Sequence, residues 1–341
     1  MKEEHASAYR HPTTMEPLEL SVTRTEGGEI VEGALLGGGD RFPIVRGVPR
    51  FGPASNYAES FGYQWQSFAD AQLDDRRAWD GWSERRFVEE TRWPRDLSGQ
   101  RVLEAGSGAG RFTPHLARTR AEVFTFDYSG AVDANYRSHH RLDNVAFAQA
   151  DIYRPPYEKG SFDKVLCLGV IQHTPEPKAA FLSLVEYLKP GGEIVFDCYR
   201  LHWKSFVWGK YYLRPLPRHL PPAAQHRFVK AHLAWAYPLT GAIHRTLGLR
   251  PGRYASWLLS VADFRGLPDI DEAHARELSE LDTLDMLSPR YDQPKTIGQV
   301  RRWLEEAGLK DIEVGPGYNG VEARGRRAAP PVPRPETRQP A

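Results

Sequence analysis

Cysteine is nearly absent from this chain: Cys167 and Cys198 are the only two in 341 residues. Two thiols cannot build a disulfide framework, and their spacing fits no zinc site, so no metal is expected. Long apolar runs are missing too; nothing approaches the ~20 residues that span a bilayer. The opening residues, MKEEHASAYRHPTTMEP, lack the apolar core of a secretory signal, and a cytoplasmic location is the expectation. Net charge is also small. Forty-five Lys and Arg against 44 Asp and Glu leave +1, which by itself argues against an electrostatic partner. Acid, however, is missing altogether from residues 198–262, so the balanced total hides an uneven distribution.

What is present reads as a folded globular chain. Apolar residues make up 40% and charged residues 26%, and the length suits one large or two modest domains. Residues 1–55 divide into a polar, loosely held tail (1–17) and a small β element with glycine turns. Residues 56–97 form a helical, aromatic lead-in containing Phe61, Trp65, Phe68, Trp79, Trp82 and Phe87. From 98 to 199 short apolar strands alternate with helices. Strands are expected at 101–105, 122–128, 145–150, 162–169 and 193–199, with helices at 111–118 and 178–188. That alternation implies a parallel sheet covered on both faces. Residues 200–290 break the pattern with helical, basic and aromatic pieces. The pattern resumes over 291–327 with a helix at 296–307 and strands at 311–314 and 320–323. The proline-rich 328–341 reads as a disordered tail.

The sharpest local signal is Val102-Leu103-Glu104-Ala105-Gly106-Ser107-Gly108-Ala109-Gly110-Arg111. A strand enters a turn with glycine at alternate positions, where backbone can pass close to a ligand. Alone, such a turn is equally a tight strand-to-helix connection. Three acids strengthen the binding reading: Glu104 just before the turn, Asp127 at the end of the next strand, and Asp151 at the end of the third. Strand carboxyl ends are where open α/β sheets bind ligands. Arg111 stands where a dinucleotide fingerprint needs a small residue, and no Gly-Lys-Ser/Thr follows, so neither that motif nor a Walker loop fits.

The segment Glu104–Gly110 resembles motif I of the class I S-adenosylmethionine-dependent methyltransferases. The resemblance continues through Phe126-Asp127-Tyr128-Ser129, Gln149-Ala150-Asp151, Ser161 to Val165, Gly169 to His173 and Leu188 to Glu193. It implies an α/β, Rossmann-like seven-stranded doubly wound sheet whose last strand is antiparallel, joined to a small N-terminal β element and a helical insertion. It implies S-adenosyl-L-methionine as cofactor. Glu104, Gly106, Ser107, Gly108 and Gly110 would surround its methionine part. Asp127 would take the ribose hydroxyls with Tyr128 alongside, and Asp151 the adenine amino group with Ile152 against the ring. Leu168 and Gly169 would lie beside the sulfonium. Residues 41–51 resemble the end of a zinc-ribbon-like segment, here without cysteines and therefore without metal. Residues 56–65 resemble a connecting segment that lies over the cofactor in such proteins; ordinary packing explains its aromatics equally well.

Methyl transfer needs positioning, plus a base when the acceptor is a hydroxyl. His173 is the candidate base, against the alternative of a structural histidine in its turn. Tyr199 and His202 are weaker candidates, and Cys167 and Cys198 read as packing residues. The insertion carries ten Lys and Arg over 198–262; eight acids then follow in 263–285. Either these stretches pair with each other, or the basic one covers an anionic acceptor or meets an anionic membrane. The expected function is methylation of a small-molecule or glycan acceptor at oxygen, with an anionic or lipid-linked sugar in view. RNA or protein methylation, or cofactor binding without transfer, are the alternatives. No RNA-binding module is recognisable, so no nucleic-acid partner is expected.

Overall fold

The computed structural model describes residues 1–53, 55–68, 81–266 and 271–329. Trp79 of the lead-in, Asp269 of the acidic stretch and 330–341 of the tail lie outside them. Four strands come first: β1 (Glu19–Glu26), β2 (Glu29–Gly37), β3 (Asp40–Val45) and β4 (Val48–Pro49), an antiparallel meander. The β1–β2 turn is Gly27-Gly28, with φ of +56° and +83°; two left-handed residues match the strand twist of a tight hairpin.

The lead-in forms α1 (Glu59–Ser67) and α2 (Trp82–Thr91). The main sheet begins with β5 (Arg101–Ala105), α3 (Thr113–Arg118), β6 (Glu122–Asp127), α4 (Val132–His139) and β7 (Val145–Gln149). It continues with β8 (Phe162–Cys167), α5 (Pro177–Glu186) and β9 (Leu188–Cys198). The insertion supplies α6 (Gly209–Leu213), α7 (Pro222–Leu247), α8 (Leu249–Leu258) and α9 (Glu272–Leu287). Helix α10 (Ile297–Glu306) and strands β10 (Lys310–Gly317) and β11 (Gly320–Arg326) close the chain. A capping box between Thr296 and Gln299 starts α10. The seven strands lie in the order β10-β11-β9-β8-β5-β6-β7. Strand β11 runs antiparallel to both its neighbours, and the reversal in order falls beside β5.

Alternation along each strand explains the two covered faces. Leu103, Phe124, Ala146 and Ala148 join one cluster, with residues of α5 and α10. Their neighbours Val102, Val123, Val145 and Phe147 point the other way, against Phe87, Leu116 and Val132 from α2, α3 and α4. Successive side chains leave a strand on opposite faces, so both faces must be apolar.

One expectation is corrected: residues 1–17 are not a loose tail. They cover the sheet where no helix crosses from β7 to β8. Met1, Ala6 and Tyr9 pack into the sheet cluster with Tyr157 of the crossover, and the Tyr9 hydroxyl donates to the Phe147 carbonyl at 2.9 Å. Phe51 N–H then donates to Gln149 O at 2.8 Å, seating the small sheet on the edge strand. Polar letters at the start of the chain thus conceal a few apolar anchors that cover a face no crossover helix reaches.

Candidate functional site

The site lies at the carboxyl ends of β5, β6 and β8. The Gly106 and Ser107 N–H groups both donate to Phe126 O, tying the turn to β6. Gly106 has φ +78°, and a Cβ there would stand 2.3 Å from Val170 Cγ2. At Gly110, φ +93°, a Cβ would stand 2.2 Å from Asn135 Oδ1. Neither position admits a side chain without rebuilding the turn. Asp127 holds the middle of the turn: Oδ2 accepts Gly108 N–H at 2.9 Å, while Oδ1 accepts the Ser129 N–H and hydroxyl. Burial raises the Asp127 carboxyl above its usual value, and these hydrogen bonds oppose the rise.

A cavity of about 410 Å³ opens above this turn. Gly106, Ser107, Gly108, Asp127, Tyr128, Ile152, Leu168, Gly169 and His173 line it. Glu104, Gly110 and Asp151 are not among the lining residues. Gly110 is turned away against Asn135. Asp151 Oδ1 accepts Tyr153 N–H, closing a local turn. Glu104 is buried beneath the loop, accepting hydroxyls from Thr113 and Thr125, each at 2.7 Å. Asn135 in turn donates to Thr113 at 2.9 Å, so one carboxylate joins β5, α3, β6 and α4.

Burial pushes Glu104 up to about 7, against the two threonine bonds. The folded chain therefore holds an extra proton between the ordinary carboxylate value and about pH 7. Stability is greatest at the acid end of that window and falls as pH rises through it, by roughly 3 kcal/mol for this group. Glu104→Gln should flatten the dependence of melting temperature on pH between about pH 5 and about pH 7.5. Parallel wild-type and variant curves would refute the assignment.

His173, buried after β8, presents Nδ1 to the Tyr291 carbonyl at 3.0 Å. A carbonyl only accepts, so Nδ1 is the donor in this contact. Phe61 and Tyr199 hold the ring at centroid distances of 5.0 and 5.2 Å. Tyr57, Phe61 and Trp65 of the lead-in also line the cavity. Tyr199 donates its hydroxyl to Asp285 at 2.9 Å, and burial holds its phenol far above neutrality, so it is no base. His202 is not among the lining residues. Cys167 and Cys198 are buried, and burial pushes both thiols up.

The opposite wall comes from the insertion, and it is acidic. Leu278, Asp282, Asp285 and Met286 of α9 all line the cavity. Their spacing marks one helix face, a signal present in the sequence but masked there by the larger count of acids. Asp282 is raised to about 7 by burial and by Asp285, against Arg111. The described cations of 198–262 stay off the wall. Lys210 pairs with Asp292 at 2.7 Å, Lys230 with Glu280 at 3.5 Å, and Arg214 donates to Pro289 O. Of the two readings of the basic stretch, these contacts match its pairing with acids in part: Glu280 belongs to the acidic stretch 263–285.

Sequence reading also missed the support behind Gly169. Asp197, fully buried, accepts Gly169 N–H at 2.5 Å and Asn319 Nδ2 at 3.2 Å. Arg86 bonds both Asp197 and Glu90 at 2.5 Å. Burial, and then Asp197, push the Glu90 carboxyl up, against the Arg86 guanidinium that bonds both acids.

A seven-stranded sheet of this order, with a glycine turn and a strand-end acid facing one cavity, defines a Rossmann-like nucleoside-binding protein. Residues 103–196 match the family model of a methyltransferase domain. A ubiquinone biosynthesis O-methyltransferase of Alkalilimnicola ehrlichii is 32% identical over 130 residues, 36% of this chain and 52% of that protein. Its namesake from Acinetobacter baumannii strain AYE is 29% identical over 36% of this chain and 55% of its own length. The chain thus spans about half the length of the curated relatives it matches. A SAM-dependent methyltransferase structure from Aquifex aeolicus superposes with a TM-score of 0.41 at 13% identity, over 80% of this chain and all of that one. The chain carries a class I S-adenosylmethionine-dependent methyltransferase domain, and S-adenosylmethionine is that domain's cofactor.

The described residues fit that cofactor. The turn is closed to side chains at Gly106 and Gly110, and Ser107 Oγ, at the cavity wall, is buried with no partner among the described residues. The volume falls within the about 300–1,000 Å³ of small-molecule sites.

Proposed function

We propose that this protein transfers a methyl group from S-adenosylmethionine to a hydroxyl of a small molecule, a glycan hydroxyl included. One observation carries the reading: the glycine turn and Asp127 share a single cavity with His173, Tyr199 and Asp285. Asp127 takes the ribose hydroxyls, Ile152 packs on the adenine, and the Gly106–Gly108 backbone accommodates the methionine part. Bound there, the cofactor supplies a methyl group already activated on a sulfonium. His173 orients and deprotonates the acceptor. Tyr291 O fixes Nδ1–H and Nε2 receives the hydroxyl proton, leaving the acceptor oxygen ready to take the methyl group that the cofactor would supply.

The acceptor wall supports a neutral or cationic acceptor over an anionic one. An anion would meet Asp282 and Asp285, whereas hydroxyl or ammonium hydrogens find acceptors there. Gln64 adds to this supply: its Oε1 is buried without a partner among the described residues, and its residue lines the cavity. Phe264, Leu278 and Met286 suit an apolar body on the same molecule. The names of the curated relatives add support for oxygen as the methylated atom. The test is an acceptor screen with isotopically labelled S-adenosylmethionine, read by mass spectrometry. A small hydroxylated product carrying the label is expected; label found only in RNA or protein would overturn the proposal.

A further inference from the structure

The insertion exposes far more apolar surface than its packing requires. Phe206 is 70% exposed, Tyr212 72%, Trp235 52% and Leu258 56%. Leu216, Leu247 and Tyr254 are exposed as well. Scattered surface hydrophobics are ordinary, but contiguous ones are not. Contacts beneath Phe206, Tyr212, Leu258 and Trp235 place these four on adjoining elements. The Tyr212 hydroxyl donates to Phe206 O at 2.5 Å. Gly209, at the start of the same helix, lies so close to α8 that a Cβ would stand 1.8 Å from Leu258 O. His232 on α7 bonds the next carbonyl, Leu259 O, at 2.7 Å, and its ring meets Trp235 at 5.2 Å.

Helix α7 makes the point most directly. Its inner face, with Val229, Leu233, Ala236 and Tyr237, joins the insertion's own core with Leu281 and Leu284 of α9. Its outer face should then be polar if it met only water. Instead Ala231, Ala234, Trp235, Pro238 and Leu239 are exposed in succession along it. No charged residue occurs between Lys230 and Arg245. Exposed cations frame the face: Arg227 and Arg245 on α7, Arg250 and Arg253 on α8.

We propose that this face docks on the surface of an anionic lipid bilayer. Aromatic rings with polar tips and arginines at the rim are the chemistry of the headgroup layer, where apolar area inserts shallowly and cations meet anionic lipid. The absence of any acid from 198–262 removes the repulsion such a surface would otherwise feel. Among the described residues no helix is long and apolar enough to cross a membrane, so the contact is peripheral. A second copy of the chain is disfavoured as occupant, because a self-complementary interface would set one cationic rim against the other. Docking would bring the acceptor cavity near lipid. Lys210, two residues before Tyr212, lies 4.6 Å from the Tyr199 ring, which lines that cavity.

Flotation of the full chain with vesicles tests this. Vesicles of phosphatidylcholine alone and of phosphatidylcholine with phosphatidylglycerol are compared at low and high salt. Wild type should float with the anionic vesicles, less at high salt and little with the zwitterionic ones. The triple variant Phe206→Ser, Trp235→Ser, Leu258→Ser should lose roughly tenfold or more of that binding. Arg250→Glu with Arg253→Glu should lose mainly the salt-sensitive part. No flotation at low salt overturns the proposal, as does equal flotation of the triple variant. A concentration-dependent dimer in light scattering that the triple variant abolishes, with no vesicle binding, assigns the face to a second copy and also overturns it. All variants are checked for S-adenosylmethionine binding by calorimetry. That readout stands apart from lipid and separates failure here from failure of the methyl-transfer reading.

Discussion

Asp127→Ala should lower the affinity for S-adenosylmethionine by roughly a hundredfold or more, because the two hydrogen bonds proposed from the ribose to this carboxylate would each be worth about 1.5–3 kcal/mol. The loss has a second source. Asp127 also accepts Gly108 N–H and both Ser129 donors, so its removal frees the middle of the turn that shapes the cavity floor. Asp127→Asn separates the two contributions: it keeps one accepting oxygen and should recover only part of the affinity. Ser129→Ala loosens the carboxylate without removing it and should cost less than either. Isothermal calorimetry reads the affinity, and thermal unfolding checks that the variants fold. Wild-type affinity in a folded Asp127→Ala protein would remove Asp127 from the cofactor site.

His173→Ala should slow the proposed methyl transfer by roughly 10²–10⁴-fold, the usual contribution of a positioned general base. The pH profile carries the assignment. Wild-type kcat/KM should depend on pH through the base that accepts the acceptor's proton. In the variant that dependence should vanish, leaving S-adenosylmethionine affinity unchanged. A variant that keeps the wild-type profile makes His173 a structural residue, held by Tyr291 O between two aromatic rings.

Much of the sheet was legible because buried parallel strands are written as short apolar runs. Residues 101–105 match β5 end for end, and β6 and β7 stop one residue before their expected ends. The 111–118 helix begins two residues later than expected, at Thr113. The glycine turn was legible for a different reason: positive φ together with a close approach leaves glycine as the residue that fits. Strand β9 was harder to bound. It begins at Leu188, since Pro190-Gly191-Gly192, which reads as a break, lies within the strand's extent beside β8.

Local sequence determines what depends on neighbours along the chain: strand alternation, turn chemistry, caps, and the order of motifs. It carries less about pairings between distant segments, whose energy depends on burial that no short window contains. Glu104 is a strand-end acid in both descriptions, yet only folding shows that two threonines occupy it beneath the turn. The near-neutral total and the acid-free stretch were both plain in composition. Which cations meet partners, as Lys210 does with Asp292, and which residues remain on the surface, as Trp235 does, follows from helix packing. That packing turned Asp282 and Asp285 of α9 inward to the cavity and an apolar side of α7 outward. Burial penalises an unpaired charge but is indifferent to how far apart in sequence its partner lies.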